Sequence, residues 1–465
     1  MSPELIAQFS AITGEKNAIS DALAMTPYMT EWRDLWKGKS PVVLRPADVK
    51  QVSAIMKLAT SSQTPVVPQS GNTGLVGGGI PFESRNEILV SLDRMTQILD
   101  VDAANYTMTV QAGVILKSIQ DAASQVHRLF PLSLASEGSC RIGGNLSTNA
   151  GGLNVLAYGN TRDLCLGLEV VLPDGRIWNG LRRLRKDNTG YDLKNIFIGA
   201  EGTLGIITAA VLKLFPKPRS HETAFIAVTS PQAAVDLLSL TKDMSGNRVT
   251  AFELMPNIGM EFTVKHMGIS HPLESTSPWY ALSELADPVA GSFAEILEVA
   301  MERGWVTDAA IAQPEGQRKA LWDIRELMPE SQKFEGGSIK HDISVPVSTI
   351  PEFIAEATAA VHRFMPRARV MAFGHMGDGN LHFNVTQPAG MDKDHYLACW
   401  NDMNAVVFAV VHKFDGSISA EHGIGRLKIG HMAEIKSAVE LGMMRDLKRL
   451  FDPLNIMNPG KVVPL

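Results

Sequence analysis

The segment Phe373-Gly374-His375-Met376-Gly377-Asp378-Gly379-Asn380-Leu381-His382-Phe383-Asn384-Val385 carries two imidazoles and an amide at spacings that suit one shared ligand. Strand-forming residues flank Gly377-Asp378-Gly379-Asn380, which predicts a hairpin with a two-residue turn at Asp378-Gly379. That register sets His375 directly opposite His382, with Cβ atoms roughly 4.5 to 5.5 Å apart. Asn384 shares their face because side chains alternate along a strand. Two imidazoles so placed can hold one metal ion; the alternative is a pair of solvated surface histidines. Glu421-His422-Gly423-Ile424-Gly425 adds a carboxylate and another imidazole in a glycine-rich loop. These are the types a zinc-like site takes as third ligand and neighbouring base.

Elsewhere the chemistry is carried by backbone. Pro68-Gln69-Ser70-Gly71-Asn72-Thr73-Gly74-Leu75-Val76-Gly77-Gly78-Gly79 follows a predicted strand. Glycines leave N–H groups bare, so such a loop can wrap a diphosphate with main-chain donors. It lacks the GxGxxG order, Gly77 to Pro81 would break the helix a Rossmann turn must open, and no Gly-Lys-Ser/Thr ends it as in a P-loop. Gly138 to Gly152 and Gly199 to Ile207 repeat the concentration of small residues. One such segment can be a glycine-rich surface loop; three predict a large bound cofactor.

The elements that must position these groups follow from periodicity. Val42 to Leu44, a helix from Ala47 to Thr60 with Val49, Val52, Ile55, Met56 and Ala59 on its apolar side, and Pro65 to Val67 make a βαβ unit. A hairpin is predicted around Pro173-Asp174-Gly175. Pro216-Lys217-Pro218-Arg219 marks a domain boundary. Beyond it come strands Thr223 to Thr229, Val249 to Leu254 and Trp279 to Leu285, and helices from Pro231, Ser292 and Gln317, the order of an α+β domain. The helix from Gln317 to Leu327 brings Arg325 out beside the apolar Leu321 and Trp322. On the strand Ser338 to Val345, Lys340, Asp342 and Ser344 share one face. A single long helix is predicted from Asp394 to Phe414. Taken alone, Arg325 reads as a snorkelling arginine and Lys340 as a solvated strand lysine.

Composition excludes several classes. The 465 residues are too many for one core and predict two or three domains. A net charge of −6 without a basic run argues against nucleic acid and against a membrane surface. The most apolar stretch, Ala405 to Val411, is far short of a membrane span. Met1-Ser2-Pro3-Glu4-Leu5 resembles neither a secretory signal nor a transit peptide, and a cytoplasmic protein is expected. Cys140, Cys165 and Cys399 show no CxxC spacing, which argues against disulfides, iron–sulfur clusters and thiolate zinc.

Pro68 to Gly79, Gly138 to Gly152, Arg185 to Leu193, Gly199 to Thr208, Gly374 to Asn384, Ala420 to Gly425 and Asn458-Pro459-Gly460-Lys461 together resemble the FAD-dependent D-2-hydroxyacid dehydrogenases of the vanillyl-alcohol-oxidase type, over nearly the whole chain. The resemblance is strongest to members that oxidise D-2-hydroxyglutarate, with D-lactate and D-malate as alternative substrates. It implies an α+β fold: an FAD-binding domain of two α/β subdomains over 1–218, a ferredoxin-like substrate and metal domain over 219–418, and a segment 419–465 that returns to the FAD domain. It assigns FAD to Pro68, Gln69, Ser70, Gly71, Asn72, Thr73, Gly74, Leu75, Gly138, Gly143, Gly144, Asn149, Gly152, Gly202, Ile207 and Asn458. Members with covalent flavin often carry a histidine in the first loop; here Ser70-Gly71-Asn72 implies non-covalent binding. His375, His382 and Glu421 match the metal ligands, with Zn2+ expected ahead of Mn2+ or Co2+, and His422 matches the base. Arg325, Lys340 and Asn384 match substrate-binding positions. Four residues beyond Arg325 the family places a substrate-contacting threonine, whereas this chain has Pro329, which offers neither hydroxyl nor N–H. The implied partners are a small 2-hydroxyacid, an external acceptor (electron-transfer flavoprotein, a quinone or a cytochrome) and a second copy in a homodimer. Three rival functions remain. A nicotinamide enzyme lacks its Rossmann turn here, a metal hydrolase would share the His-His-Glu set but leave the glycine-rich loops unexplained, and a flavin-binding module without catalysis would not need the metal site.

Overall fold

The computed structural model describes residues 1–84, 86–288, 292–312 and 314–465, and the chain divides into two units. The first comprises Met1–Gly151, Gly159–Lys217 and Glu421–Leu465; the second comprises Gly152–Tyr158 and Pro218–Ala420.

The first unit holds two larger sheets. In one, Val43–Leu44 and Val66–Gln69 both run parallel to Ile88–Ser91, and Ala18–Ile19 adds an antiparallel edge. The crossover between the parallel strands is the helix Val49–Ser61, started by the Asp48 side chain, which accepts from the Gln51 N–H. Its Val52, Ile55, Met56 and Ala59 are fully buried, so the amphipathic stripe is what docks it. The other sheet is antiparallel, in the order Ile98–Asp102, Thr107–Gln111, Ile206–Lys213, Cys165–Val171, Ile177–Gly180. The end of the chain returns to the first sheet: Val66 N–H donates to the Ile456 carbonyl at 2.7 Å, and Asn458 N–H to the Val66 carbonyl at 2.8 Å. Ile456 and Met457 thereby enter the core that contains Phe9, Val52 and Val66.

The second unit is built on a seven-stranded antiparallel sheet in the order Val306–Ala312, His221–Val228, Trp279–Ala286, Val249–Pro256, Arg369–His375, Asn380–Thr386, Ser338–Ser344. Its first four strands have the ferredoxin-like order. The helices Pro231–Met244 and Ser292–Glu302 make the crossovers, the former capped by the Ser230 hydroxyl accepting from the Ala233 N–H. The remaining three strands extend this sheet and carry the residues of interest.

The structure departs from expectation in three places. Asp394 to Phe414 is two helices, Lys393–Leu397 and Trp400–Lys413, because the chain breaks at Ala398-Cys399. The helix carrying Arg325 is longer than predicted, Glu315–Ser331, and runs through Pro329. Most consequential is the hairpin register: Phe373, not His375, faces His382. The turn exceeds two residues, since Met376–Asp378 winds a single 3-10 turn that Gly379 closes at φ +88°. A Cβ at Gly379 would stand 2.2 Å from the Val345 carbonyl oxygen, so only glycine closes this turn. Beyond Phe373 the strand leaves its hairpin partner and pairs with Val249–Pro256, setting His375 opposite Glu253.

Candidate active site

In the first unit a cavity of about 470 Å³ is lined by Pro68 to Ile80, by parts of the 134–151 segment, by Glu201, Gly202 and Gly205 to Ile207, and by Glu421 and His422. That volume falls in the range of small-molecule and cofactor sites. Gln69 holds the first loop in shape, its Nε2 donating to the Tyr28 and Gly79 carbonyls at 2.9 Å each. A Cβ on Gly71 would meet the Arg141 nitrogen at 2.9 Å and the Ser139 carbonyl oxygen at 3.0 Å, so two loops meet here backbone to backbone. The N–H groups of Gly71, Asn72, Thr73 and Gly74 take no acceptor among the described residues. Consecutive bare donors on a cavity wall form an anion site. Asn145 Oδ1, on the same cavity, is buried and lacks a hydrogen-bond partner among the described residues. Bare donors for phosphate oxygens and an orphaned acceptor for a ring N–H are the complement of FAD.

Of the residues assigned to the cofactor, Pro68 to Leu75, Gly143, Gly144, Gly202 and Ile207 line this cavity, whereas Gly138, Asn149, Gly152 and Asn458 do not. Asn149 ends the Ile142–Thr148 helix in the left-handed conformation, and its Oδ1 accepts from the Arg162 N–H at 2.9 Å. Asn458 Nδ2 donates to the Gly78 and Glu201 carbonyls at 3.0 and 2.8 Å, tying two of the loops together. Gly152 belongs to the second unit. Asn72 spends its amide on the Pro27 and Thr30 carbonyls.

The loop of Glu421 and His422 is anchored by a residue of the Gly199 to Ile207 segment. Buried Glu201 accepts the Ile424 N–H on Oε1 at 2.7 Å and the Gly425 N–H on Oε2 at 2.9 Å. Burial pushes its carboxyl up to about 7, while the two backbone donors and the Lys428 and Lys461 charges pull the other way.

In the second unit one sheet face collects the other site residues. Lys340 is the register partner of Asn384, and Asp342 that of His382. Phe373, opposite His382, puts His375 on this face too, and the two imidazole centroids lie 5.7 Å apart at 76°. The predicted proximity of the histidines therefore holds, by a diagonal rather than a direct pairing. The buried Arg325 donates from Nε to Glu253 Oε2 at 2.6 Å, and its guanidinium lies 4.7 Å over the Phe373 ring. Its two terminal nitrogens make no hydrogen bond among the described residues. Glu253 Oε1 lies 2.5 Å from His375 Nδ1. Burial alone would raise the Glu253 carboxyl, but the contacts with His375 and Arg325 hold it down at about 2. Asn384 Nδ2 donates to Gln332 Oε1 at 2.9 Å, which leaves its carbonyl and its second amide hydrogen for a ligand. Pro329 sits one turn beyond Arg325 in the same helix and cannot donate to the Arg325 carbonyl. This face pairs imidazoles suited to a borderline divalent cation with cations suited to a carboxylate.

Two family models match the chain, an FAD binding domain over residues 40–180 and the C-terminal domain of FAD linked oxidases over residues 217–462. The chain is 38% identical over 464 residues to the mitochondrial D-2-hydroxyglutarate dehydrogenase of Arabidopsis thaliana, covering 99% of this chain and 81% of that protein. It is 34% identical over 463 residues to the D-2-hydroxyglutarate dehydrogenase of Stutzerimonas stutzeri, covering 99% of each. Among solved structures, alkyldihydroxyacetonephosphate synthase superposes with a TM-score of 0.75 at 19% identity, covering 99% of this chain and 85% of that one. p-Cresol methylhydroxylase superposes with a TM-score of 0.75 at 16% identity, covering 99% and 96%. These structural likenesses show the fold. No helix among the described residues is long and apolar enough to cross a membrane.

Proposed function

The chain belongs to the D-2-hydroxyglutarate dehydrogenase family of FAD-linked oxidases, and from that premise we propose that it oxidises D-2-hydroxyglutarate to the 2-oxoacid with the help of a divalent metal ion. It is an FAD-dependent oxidoreductase acting on a D-2-hydroxyacid. The observation that carries the finer reading is the sheet face of the second unit, where two imidazoles, a guanidinium, an ammonium and an amide carbonyl come together.

His375 and His382 would hold the ion, with Glu421 as the third ligand that the sequence pattern assigns. A divalent ion there would supply Lewis-acid stabilisation of negative charge on the substrate oxygen. His422 takes the proton of the C2 hydroxyl as general base. Arg325 binds a substrate carboxylate through its terminal nitrogens, its Nε being committed to Glu253, and Lys340 adds a point charge. Asn384, one amide hydrogen of which is committed to Gln332, meets the substrate through its carbonyl or its second N–H. FAD, bound without a covalent link, would supply the hydride acceptor. An external electron acceptor completes turnover, in a cytoplasmic homodimer.

Two cations are more than a single carboxylate requires. A charge-assisted hydrogen bond to a second carboxylate is worth roughly 1.5 to 3 kcal/mol. D-2-hydroxyglutarate or D-malate should therefore exceed D-lactate by about one to two orders of magnitude in kcat/KM. Steady-state rates with an artificial acceptor, for wild type, Arg325→Ala and Lys340→Ala, test this. A wild-type preference for D-lactate, or variants that slow all three substrates equally, would contradict it.

A further inference from the structure

Val249–Pro256 is a fully buried strand in which Glu253 stands alone as an ionisable residue. Isolated acids in such a position are strongly disfavoured unless each oxygen finds a donor. Here each does: His375 donates to Oε1 and Arg325 to Oε2. The contact to His375 is set by the sheet, since Glu253 and His375 are register partners where Arg369–His375 meets the Val249–Pro256 strand. The contact to Arg325 is set by the Glu315–Ser331 helix, and the Phe373 ring beneath the guanidinium fixes its plane.

We propose that Glu253 is the positioning residue of this enzyme, one carboxylate that sets the tautomer of a metal-ligating histidine and the aim of the substrate-binding arginine together. Accepting the Nδ1 proton of His375 leaves Nε2 as the ligating atom and fixes the ring's orientation. Accepting from Arg325 Nε leaves the terminal nitrogens for substrate. Both tasks need an acceptor, so the residue must be a carboxylate. Glutamine has nearly the same shape but one acceptor and one donor. Its NH2 must face either His375 Nδ1, forcing the proton onto Nε2 and spoiling the ligand, or the Arg325 Nε–H, expelling the guanidinium. The metal and substrate sites are thus coupled through a single side chain.

This inference rests on the metal reading above, and the test keeps the two apart. Divalent-ion affinity is measured by chelator competition with Zn2+ on FAD-loaded wild type, Glu253→Gln, His382→Ala and Glu284→Gln. Glu284 is a control acid in the same sheet, bound by Arg318, Trp322 and Thr223. The expected result is a 10- to 100-fold loss of Zn2+ affinity in Glu253→Gln with a KM for D-2-hydroxyglutarate raised about tenfold or more, and neither change in Glu284→Gln. Wild-type affinity and KM in Glu253→Gln would overturn the proposal even if that variant melted at lower temperature. If His382→Ala binds Zn2+ as wild type does, the metal reading falls instead, and the KM of Glu253→Gln then decides whether Glu253 positions Arg325. Should Glu253→Gln not fold, 15N spectra of histidine-labelled, chelated wild type decide. A proton on Nδ1 of His375 agrees with the proposal, and a proton on Nε2 refutes it.

Discussion

The two units build binding sites from opposite materials. The cavity of the first is walled by main chain: four consecutive N–H groups from Gly71 to Gly74 lack a protein acceptor among the described residues, and loops approach to backbone distance at Gly71. The sheet face of the second is walled by side chains, several buried and charged, held by the Glu253 carboxylate between His375 and Arg325. A backbone wall suits a large, constant ligand whose many polar atoms each need one donor. A side-chain wall suits a reaction centre, where charge must be set to within a proton and where one substitution changes the chemistry without moving the chain.

If that contrast holds, damage to the second site should separate chemistry from cofactor. His382→Ala removes an imidazole from the sheet face and nothing from the first unit's cavity. It should retain FAD at wild-type occupancy yet reduce it with substrate more slowly by about a thousandfold, the equivalent of several kcal/mol of lost charge stabilisation. Single-turnover mixing without oxygen measures this, alongside flavin content after gel filtration. Loss of FAD in parallel with the rate would dissolve the distinction between the two sites.

The smaller effect concerns a buried titratable group on the first unit's cavity. Glu201 is pushed up to about 7 from 4.5 by burial. Between those values the folded chain holds a proton that the unfolded chain has released. This contribution to stability is therefore complete below pH 4.5 and is lost as pH rises to 7, by about 3 kcal/mol. Denaturant unfolding of the holoprotein across that window should show the decline, and Glu201→Gln should flatten it. An unchanged slope in the variant would mean that the carboxyl is ionised throughout.

Much of this was legible in the sequence, for a physical reason that differs between the sites. A backbone wall writes itself into the chain as glycine, because nothing else admits the approach seen at Gly71, so the three loops announce a cofactor even though their strand neighbours do not. Asn149 and Asn458 show the limit of that signal: residues that shape a loop look the same in sequence as residues that face a ligand. The histidine pair was visible from strand alternation, while its register was not, because the contact of Gly379 with the Val345 carbonyl is tertiary and the turn length depends on it. Glu253 was missed altogether. It is a single acid inside an apolar strand, 122 residues from His375, and only the sheet order brings the two together. Glu201 hid in the same way, its value lying in the contacts with the Ile424 and Gly425 N–H groups.

The central claim is that the side-chain site works through a divalent ion while the backbone site holds the flavin independently of it. It is tested most directly on the wild-type holoprotein, stripped of metal by a chelator, shown by elemental assay to be metal-free and by absorbance to keep its flavin, then mixed anaerobically with D-2-hydroxyglutarate. The account predicts that the flavin stays oxidised until Zn2+, Mn2+ or Co2+ is added back and then bleaches. Bleaching of the metal-free protein at the rate of the reconstituted one would contradict it.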